Sequence, residues 1–349
     1  MIHFFPTFSR NAASGPFGLA LREIGVPSKI IAGSVQLRYR SRYTLFLVGT
    51  PKLLWFSIRS SIQSLLLQQT PPDAVILGSD IHVLVYSAFR RLFRRPGVKI
   101  VYLGFIFTER GGDAYKRLKY LYVSAVIRLC DKIIVHSSYE AKRYQKLFDQ
   151  AEDKFSFVPW GTDIPRLPSP LTSNGNDDVS SRRPYIVAAG RSGRDYRTMF
   201  DAVRGLDIAV HVVCDAIDPV LEQERPPNVI LLRDCYDRSY LEQLEGALIC
   251  VIPLSVGNIS AGQMVLLQAM ALSKAIVITR TVTVEEYARN EIEVKMVPLG
   301  DIGALRTAII GLVQDAARRE RMGQCARRRY LENFTLRQYL IKVVDLALA

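Results

Sequence analysis

NISAGQMVLLQAMALSKAIVIT, residues 258–279, changes character twice. Small polar residues come first (Asn258, Ser260, Ala261, Gly262). An apolar block with helical spacing follows (Met264, Leu267, Met270, Ala271), and a β-branched run closes the stretch at residues 275–279. That order predicts a loop, a buried helix and a buried strand. A helix with so few side chains crowding its N-terminus has two uses. It can pack closely, or it can hold an anion on its exposed backbone N–H groups.

The same alternation extends outward over nearly the whole chain. Short apolar runs at residues 1–5, 28–32, 74–77, 100–103, 132–136 and 155–158 read as strands, with helical stretches such as 83–93 and 115–129 between them. PRLPSPLTSNGNDDVSSRRP, residues 165–184, is almost free of bulky apolar side chains and reads as a linker. The pattern then restarts at 185–189, 209–214, 228–232, 248–253, 275–279 and 293–297. Strand and helix in alternation predict the α/β class, as two Rossmann-like parallel-sheet domains. The expected division is 1–164, a linker at 165–184, 185–330, and an amphipathic terminal helix at 331–349 that packs back on the first domain. Ligands of such sheets bind beyond the carboxyl ends of the strands, so the two domains are expected to face a central cleft.

A chain of 349 residues, 49% hydrophobic and 23% charged, has the composition of a globular protein with room for two cores. Its five cysteines are scattered, with no pair at metal-ligand spacing, and read as reduced thiols of a cytoplasmic protein. Three of the histidines (His3, His82, His136) are far apart in sequence, so no zinc site is expected. MIHFFPTFSR lacks the basic and apolar segments of a secretory signal. Residues 44–67 are apolar but interrupted by Pro51, Lys52 and Arg59. They suit a core helix with a loop, or a helix lying on a membrane surface with Trp55 and Phe56 at the interface.

The charge is unevenly placed. Residues 1–150 hold 22 Lys and Arg against 8 Asp and Glu, whereas residues 151–349 hold 24 against 25. The excess is concentrated in RYRSR (38–42), RRLFRRPGVK (90–99) and KRLK (116–119), interleaved with Tyr39, Tyr43, Leu92, Phe93, Leu118, Tyr120 and Tyr122. Such a face can be simply solvated, or it can meet an anionic membrane, where headgroups and acyl chains are contacted together. Nucleic acid is the weakest partner, because no helix-turn-helix, ribonucleoprotein motif or zinc finger presents the charge.

Several segments, in order, resemble the family 4 glycosyltransferases of the GT-B fold. They are IVAAGRSGRDYRTMFDAV (186–203), NVILLRDCYDRSYLEQLEGALICVIPL (228–254), the AMA-containing helix of the opening stretch, VPLGDIGALRTAI (297–309) and ARRERMGQCARRRYLENFT (317–335). CDKIIVHSSYEAKRY and FSFVPWGTD resemble the family's acceptor-domain end, while residues 1–130 match poorly. The resemblance implies that Asn258, Ser260, Ala261, Gly262 and Gln263 surround the diphosphate of a nucleotide-sugar. Arg191 takes the place of the phosphate-binding arginine, Arg194 stands in for the lysine beside it, and Tyr236 lies in the nucleobase loop. It further implies that the two cations offset the charge of the departing diphosphate, with no metal and no cofactor besides the donor.

Three departures bear on mechanism. The two glutamates that the family often carries at this helix are replaced by Ser260 and Gln268, leaving an amide to bond a ribose hydroxyl. VYLGFIFTERGG lacks the family's first-domain histidine, and the glycine turn after the first strand is reduced to Gly15 and Gly18. Retention of configuration needs no dedicated base. Inversion does, and Asp80 and Glu109 are the candidate catalytic carboxylates, ahead of His82. The expectation is a cytoplasmic enzyme, peripheral on the inner face of the plasma membrane. It would move a hexosyl or uronosyl unit from a UDP-sugar to a membrane lipid such as diacylglycerol, with the basic domain on the anionic membrane surface and no nucleic acid partner. A polyprenyl-diphosphate-linked saccharide as acceptor, a nucleotide-sugar epimerase and a non-catalytic nucleotide-sugar or lipid-binding relative stand as alternatives.

Overall fold

The computed structural model describes residues 1–6, 12–32, 45–67, 70–108, 112–164, 183–190, 192–214, 220, 223–233, 235 and 237–349. The chain divides into two compact units, Met1–Pro159 with Leu336–Ala349, and Trp160–Thr335. The stretch expected as a linker lies outside the described residues except at its last two positions.

The first unit is built on β1 (Ile2–Phe5), β2 (Ser28–Ile30), β3 (Ala74–Leu77), β4 (Lys99–Leu103), β5 (Lys132–Val135) and β6 (Phe155–Phe157), all parallel, in the order β2-β1-β3-β4-β5-β6. Its helices are α1 (Pro16–Ile24), α2 (Thr50–Leu65), α3 (Asp80–Leu92), α4 (Asp113–Leu129) and α5 (Ser138–Leu147). The segment 83–93 expected as helix starts three residues earlier. The Ser79 hydroxyl accepts from the His82 N–H, and that N-cap carries the helix back to Asp80.

Helix α2 turns its serines inward. Ser57, Ser60, Ser61 and Ser64 are buried, while Leu54 and Trp55 are exposed, Trp55 at 68%. Of the two aromatics expected at an interface, Phe56 is inside, edge-on to His82 at 5.3 Å, and only Trp55 faces out. The hydroxyls of Ser57 and Ser61 donate to the carbonyls of Leu53 and Ser57, one helical turn back. Serines bonded in this way can pack closely, and α2 packs on α3, although the Ser60 hydroxyl on the same face has no hydrogen-bond partner among the described residues. Ser64 Oγ lies 2.7 Å from His3 Nδ1 and 3.1 Å from the Tyr86 hydroxyl.

The second unit has β7 (Tyr185–Ala189), β8 (Ala209–Cys214), β9 (Val229–Arg233), β10 (Ile249–Ile252), β11 (Ala275–Thr279) and β12 (Lys295–Val297), again all parallel, ordered β12-β11-β10-β7-β8-β9. Both faces of the sheet are covered. Val187, Cys250, Ile252, Ile276 and Ile278 enter one core, and their alternating neighbours Ile186, Ala188, Val251 and Val277 enter the other. Two-sided burial is why these strands are unbroken apolar runs. The helices are α6 (Tyr196–Val203), α7 (Asp237–Gly246), α8 (Gln263–Ala271), α9 (Ile302–Gln314) and α10 (Ala316–Asn333).

Helix α8 is buried on nearly all sides, including Val265 and Leu266, whereas Met264, which the spacing puts inside, is exposed. Helix α10 covers α8 at Gly323, where a Cβ would stand 1.9 Å from the Ser273 carbonyl oxygen, and Arg327 bonds the Ala271 carbonyl. Because that oxygen is fixed backbone, Gly323→Ala is expected to destabilise the second unit by about 1–3 kcal/mol. Thermal melts would show it as a loss of several degrees, and an unchanged midpoint would contradict this packing.

The last helix, α11 (Leu336–Leu348), belongs to the first unit, where it packs on α1, β3 and β5 with Leu340, Val343 and Val344 buried. Among the described residues no helix is long and apolar enough to cross a membrane.

Candidate functional site

In the second sheet β7 is flanked by β8 on one side and β10 on the other, so successive connections leave it in opposite directions. The crevice beyond the carboxyl ends of β7 and β10 is therefore the topological switch point, where ligands of open α/β sheets bind. Two loops meet there. The loop after β7 bonds the loop after β10 through Asp195 N to Pro253 O (3.0 Å) and Ser255 N to Gly193 O (2.8 Å), with an antiparallel bridge between Arg194 and Leu254. From behind, the Leu254 N–H donates to Thr279 Oγ1 at 2.9 Å, tying the end of β11 to the same place.

The loop after β7 turns on Gly190, whose φ of +96° is a conformation that suits glycine. The Arg194 guanidinium lies against it: Nε donates to Ala189 O and Nη1 to Ser192 O, both at 2.8 Å, and Nη2 would be 2.4 Å from any Cβ at 190. The Tyr196 hydroxyl donates to Gly190 O. Asp195 is used separately as the N-cap of α6, accepting from Thr198 N and Thr198 Oγ1.

The loop after β10 delivers Asn258, exposed, Ser260, half-buried, and Ala261, buried, to the start of α8. Gly262 sits at the N-cap with φ +90°, and a Cβ there would press to 3.2 Å from both Ile252 and Leu254. Among the described residues no side chain caps α8, so its first N–H groups are left for solvent or a ligand. Gln263, the first helical residue, is 7% exposed, and its Nε2 has no hydrogen-bond partner among the described residues. A buried amide N–H without a partner costs about 1–3 kcal/mol, and a bound anion would remove that cost.

Residues 185–315 match the model of the family described as Glycosyl transferases group 1. That stretch of the second unit is similar to a group 1 glycosyltransferase domain. No curated protein matches the chain. Solved structures resemble it over nearly its full length. Sucrose-phosphate synthase from Thermosynechococcus elongatus is 16% identical, with a TM-score of 0.70 over 99% of this chain and 97% of that one. A glycosyltransferase from Rickettsia africae is 14% identical, with a TM-score of 0.66 over 99% and 97%. Anabaena HepE, solved in complex with UDP-glucose, is 11% identical, with a TM-score of 0.64 over 99% and 98%. At these identities the likeness concerns the fold, which is GT-B, as the resemblance implied.

In this glycosyltransferase, Arg194, Ser260, Ala261, Gly262 and Gln263 come together at the switch point of the second sheet. Arg191, Tyr236 and Glu109 lie outside the described residues. Gln268 is one and a half turns along α8 from Gln263, and its Oε1 accepts from the Tyr240 hydroxyl at 3.0 Å, which turns the Nε2 donor away from that tyrosine. Burial holds the Tyr240 phenol well above its usual range, keeping its proton for that bond. Sequence reasoning missed Tyr240. Its partner Gln268 lies 28 residues away on another helix, beyond the reach of local spacing.

Asp80 stands beyond the carboxyl end of β3. In the first sheet β1 is flanked by β2 and β3, so this too is a switch point. Its Oδ2 accepts from the Tyr122 hydroxyl at 2.7 Å and its Oδ1 from Ile81 N at 3.0 Å. Burial, then the bond to Asp80, push the Tyr122 phenol up. Among the described residues no three His, Cys, Asp or Glu side chains gather as a metal site.

Proposed function

We propose that this glycosyltransferase moves a hexosyl or uronosyl unit from a UDP-sugar to a membrane lipid such as diacylglycerol. The buried, unpartnered Gln263 Nε2 beside the uncapped start of α8 carries the donor half of this reading: an anion placed there meets a side-chain donor, backbone N–H groups and a favourable helix dipole. The UDP-glucose bound by HepE supports a uridine donor. As UDP departs, its growing charge is balanced by the helix N-terminus and by Arg191, while Arg194 ties Ser192 to the end of β7. Where the reaction inverts, Asp80 or Glu109 takes the acceptor proton. Where it retains, the leaving diphosphate can take it.

The lipid half rests on α2, whose serine face is inside and whose Leu54 and Trp55 are outside, in a unit that carries the chain's whole excess of positive charge. The first unit would then lie peripherally on an anionic membrane.

A radiolabel assay tests both halves, with purified protein, anionic vesicles containing diacylglycerol or total lipid extract, and a panel of UDP- and GDP-sugars. Label is expected in the chloroform phase from a UDP-sugar, and Arg191→Ala should abolish it. Label with total extract but not with diacylglycerol would point to a polyprenyl-linked acceptor instead. Vesicle binding without transfer from any donor would overturn the catalytic reading.

A further inference from the structure

Helix α4 buries side chains at its C-terminal end only. Val126 and Ile127 are buried in the first-unit core, whereas its opening turns present Tyr115, Leu118 (68% exposed) and Leu121 (66% exposed). Beside this half lies a cavity of about 450 Å³ whose lining includes Phe107, Leu121 and Leu147 together with Lys116, Arg117 and Lys119. The volume is in the range of ligand sites, about 300–1,000 Å³.

The walls are held before any ligand arrives. Phe107 is buried edge-on against Phe148 at 5.2 Å, and its backbone N–H donates to the Tyr144 hydroxyl at 3.0 Å. Tyr120 stacks on Phe148 with ring centroids 5.3 Å apart, and its hydroxyl donates to Leu147 O. Lys119 is fixed by Thr108, to whose carbonyl and hydroxyl oxygens Nζ donates, and it sits 5.0 Å above the Phe107 ring. Lys116 and Arg117 are one turn from Tyr120 and Leu121, so cations and apolar wall share a face.

Three cations around an apolar cavity ask for a ligand that is both anionic and hydrocarbon. A small anion would gain nothing from Phe107, Leu121 and Leu147, and a neutral chain would offer Arg117 no anion and leave Lys116 with the exposed Asp113 carboxylate, 3.5 Å away. We propose that this cavity binds the hydrocarbon chain of a phosphate-bearing lipid, with Lys116, Arg117 and Lys119 on its phosphate. The proposal rests on the lipid-directed reading above. It is tested without sugar transfer, so either can fail while the other stands.

The experiment is calorimetric titration of the full chain with dodecyl phosphate, dodecyl maltoside or inorganic phosphate, each below any micelle concentration. Dodecyl phosphate is expected to bind one to one and at least tenfold more tightly than dodecyl maltoside. Lys116→Gln with Arg117→Gln should remove that tenfold difference, and Leu121→Gln should weaken both amphiphiles. These side chains are exposed, so melting temperatures of the variants should match the parent. Inorganic phosphate binding as tightly as dodecyl phosphate would reduce the cavity to an anion site and overturn the proposal. So would equal binding of the two amphiphiles, unchanged in the variants.

Discussion

Gly190→Ala is expected to lower the rate of sugar transfer by about two orders of magnitude, the cost that a misplacement of about 1 Å near a reacting site can carry. A Cβ at 190 stands 2.4 Å from Arg194 Nη2, so the guanidinium must leave the carbonyls of Ala189 and Ser192 that it now bonds. The turn that bears Arg191 then loses its brace. The backbone itself is strained as well, since φ at 190 is +96°, and that component costs about 1–2 kcal/mol of stability. Gly205→Ala separates the two effects. Gly205 also has positive φ, +72°, but open space around its missing Cβ, and it lies beyond the other end of α6. It should cost comparable stability and leave transfer intact. Equal losses of transfer in both variants would mean that strain, not the guanidinium, is responsible.

The second large effect is with acid. His3, His82 and His136 are all buried in the first unit, and burial pushes each down to about 4 from an ordinary value near 6.5. Below pH 6.5 the unfolded chain binds protons that the folded unit refuses until pH 4. Stability is therefore fully present above pH 6.5 and is lost as pH falls through that window, by up to about 3 kcal/mol for each histidine. Three such losses approach the whole stability of an ordinary domain, about 5–15 kcal/mol. The first unit should thus unfold between pH 6 and 4, roughly speaking, which hydrogen exchange read peptide by peptide would locate. His82 offers the sharpest variant. Both of its ring nitrogens lack partners among the described residues, and the ring packs edge-on to Phe5 and Phe56. His82→Phe should stabilise the unit by about 1–3 kcal/mol near neutrality and move the acid midpoint downward. An unmoved midpoint would clear His82 of any part in acid unfolding.

The twelve strands are legible in the sequence because parallel sheets covered on both faces are written as apolar runs, and the two-domain α/β class follows from their alternation with helices, while GT-B comes from the resemblance of the second-half segments. Helix α2 is not legible in the same way. Residues 44–67 suit a core helix or a surface helix alike, and nothing in their pattern shows that Ser57 and Ser61 satisfy themselves on their own backbone and pack inward while Trp55 faces out. At the switch point of the second sheet the small-residue loop marks the place, because only small side chains leave helix N–H groups open. The Tyr240 to Gln268 bond joins residues 28 apart on two helices, and no local pattern announces it. The cavity beside α4 is likewise a product of packing between separate segments.

The placement of α11 has a consequence for how the protein is made. The chain leaves the first unit at Pro159, builds the whole of the second, and re-enters the first at Leu336. The second unit is thus an insertion with neighbouring ends: Thr162 bridges Thr335, and the Tyr330 hydroxyl donates to Thr162 O at 2.7 Å. A ribosome therefore completes the inserted domain while its host still waits for the helix that covers β3 and β5. A nascent chain halted at residue 335 carries a second unit with every strand in place and a first unit whose core is still uncovered.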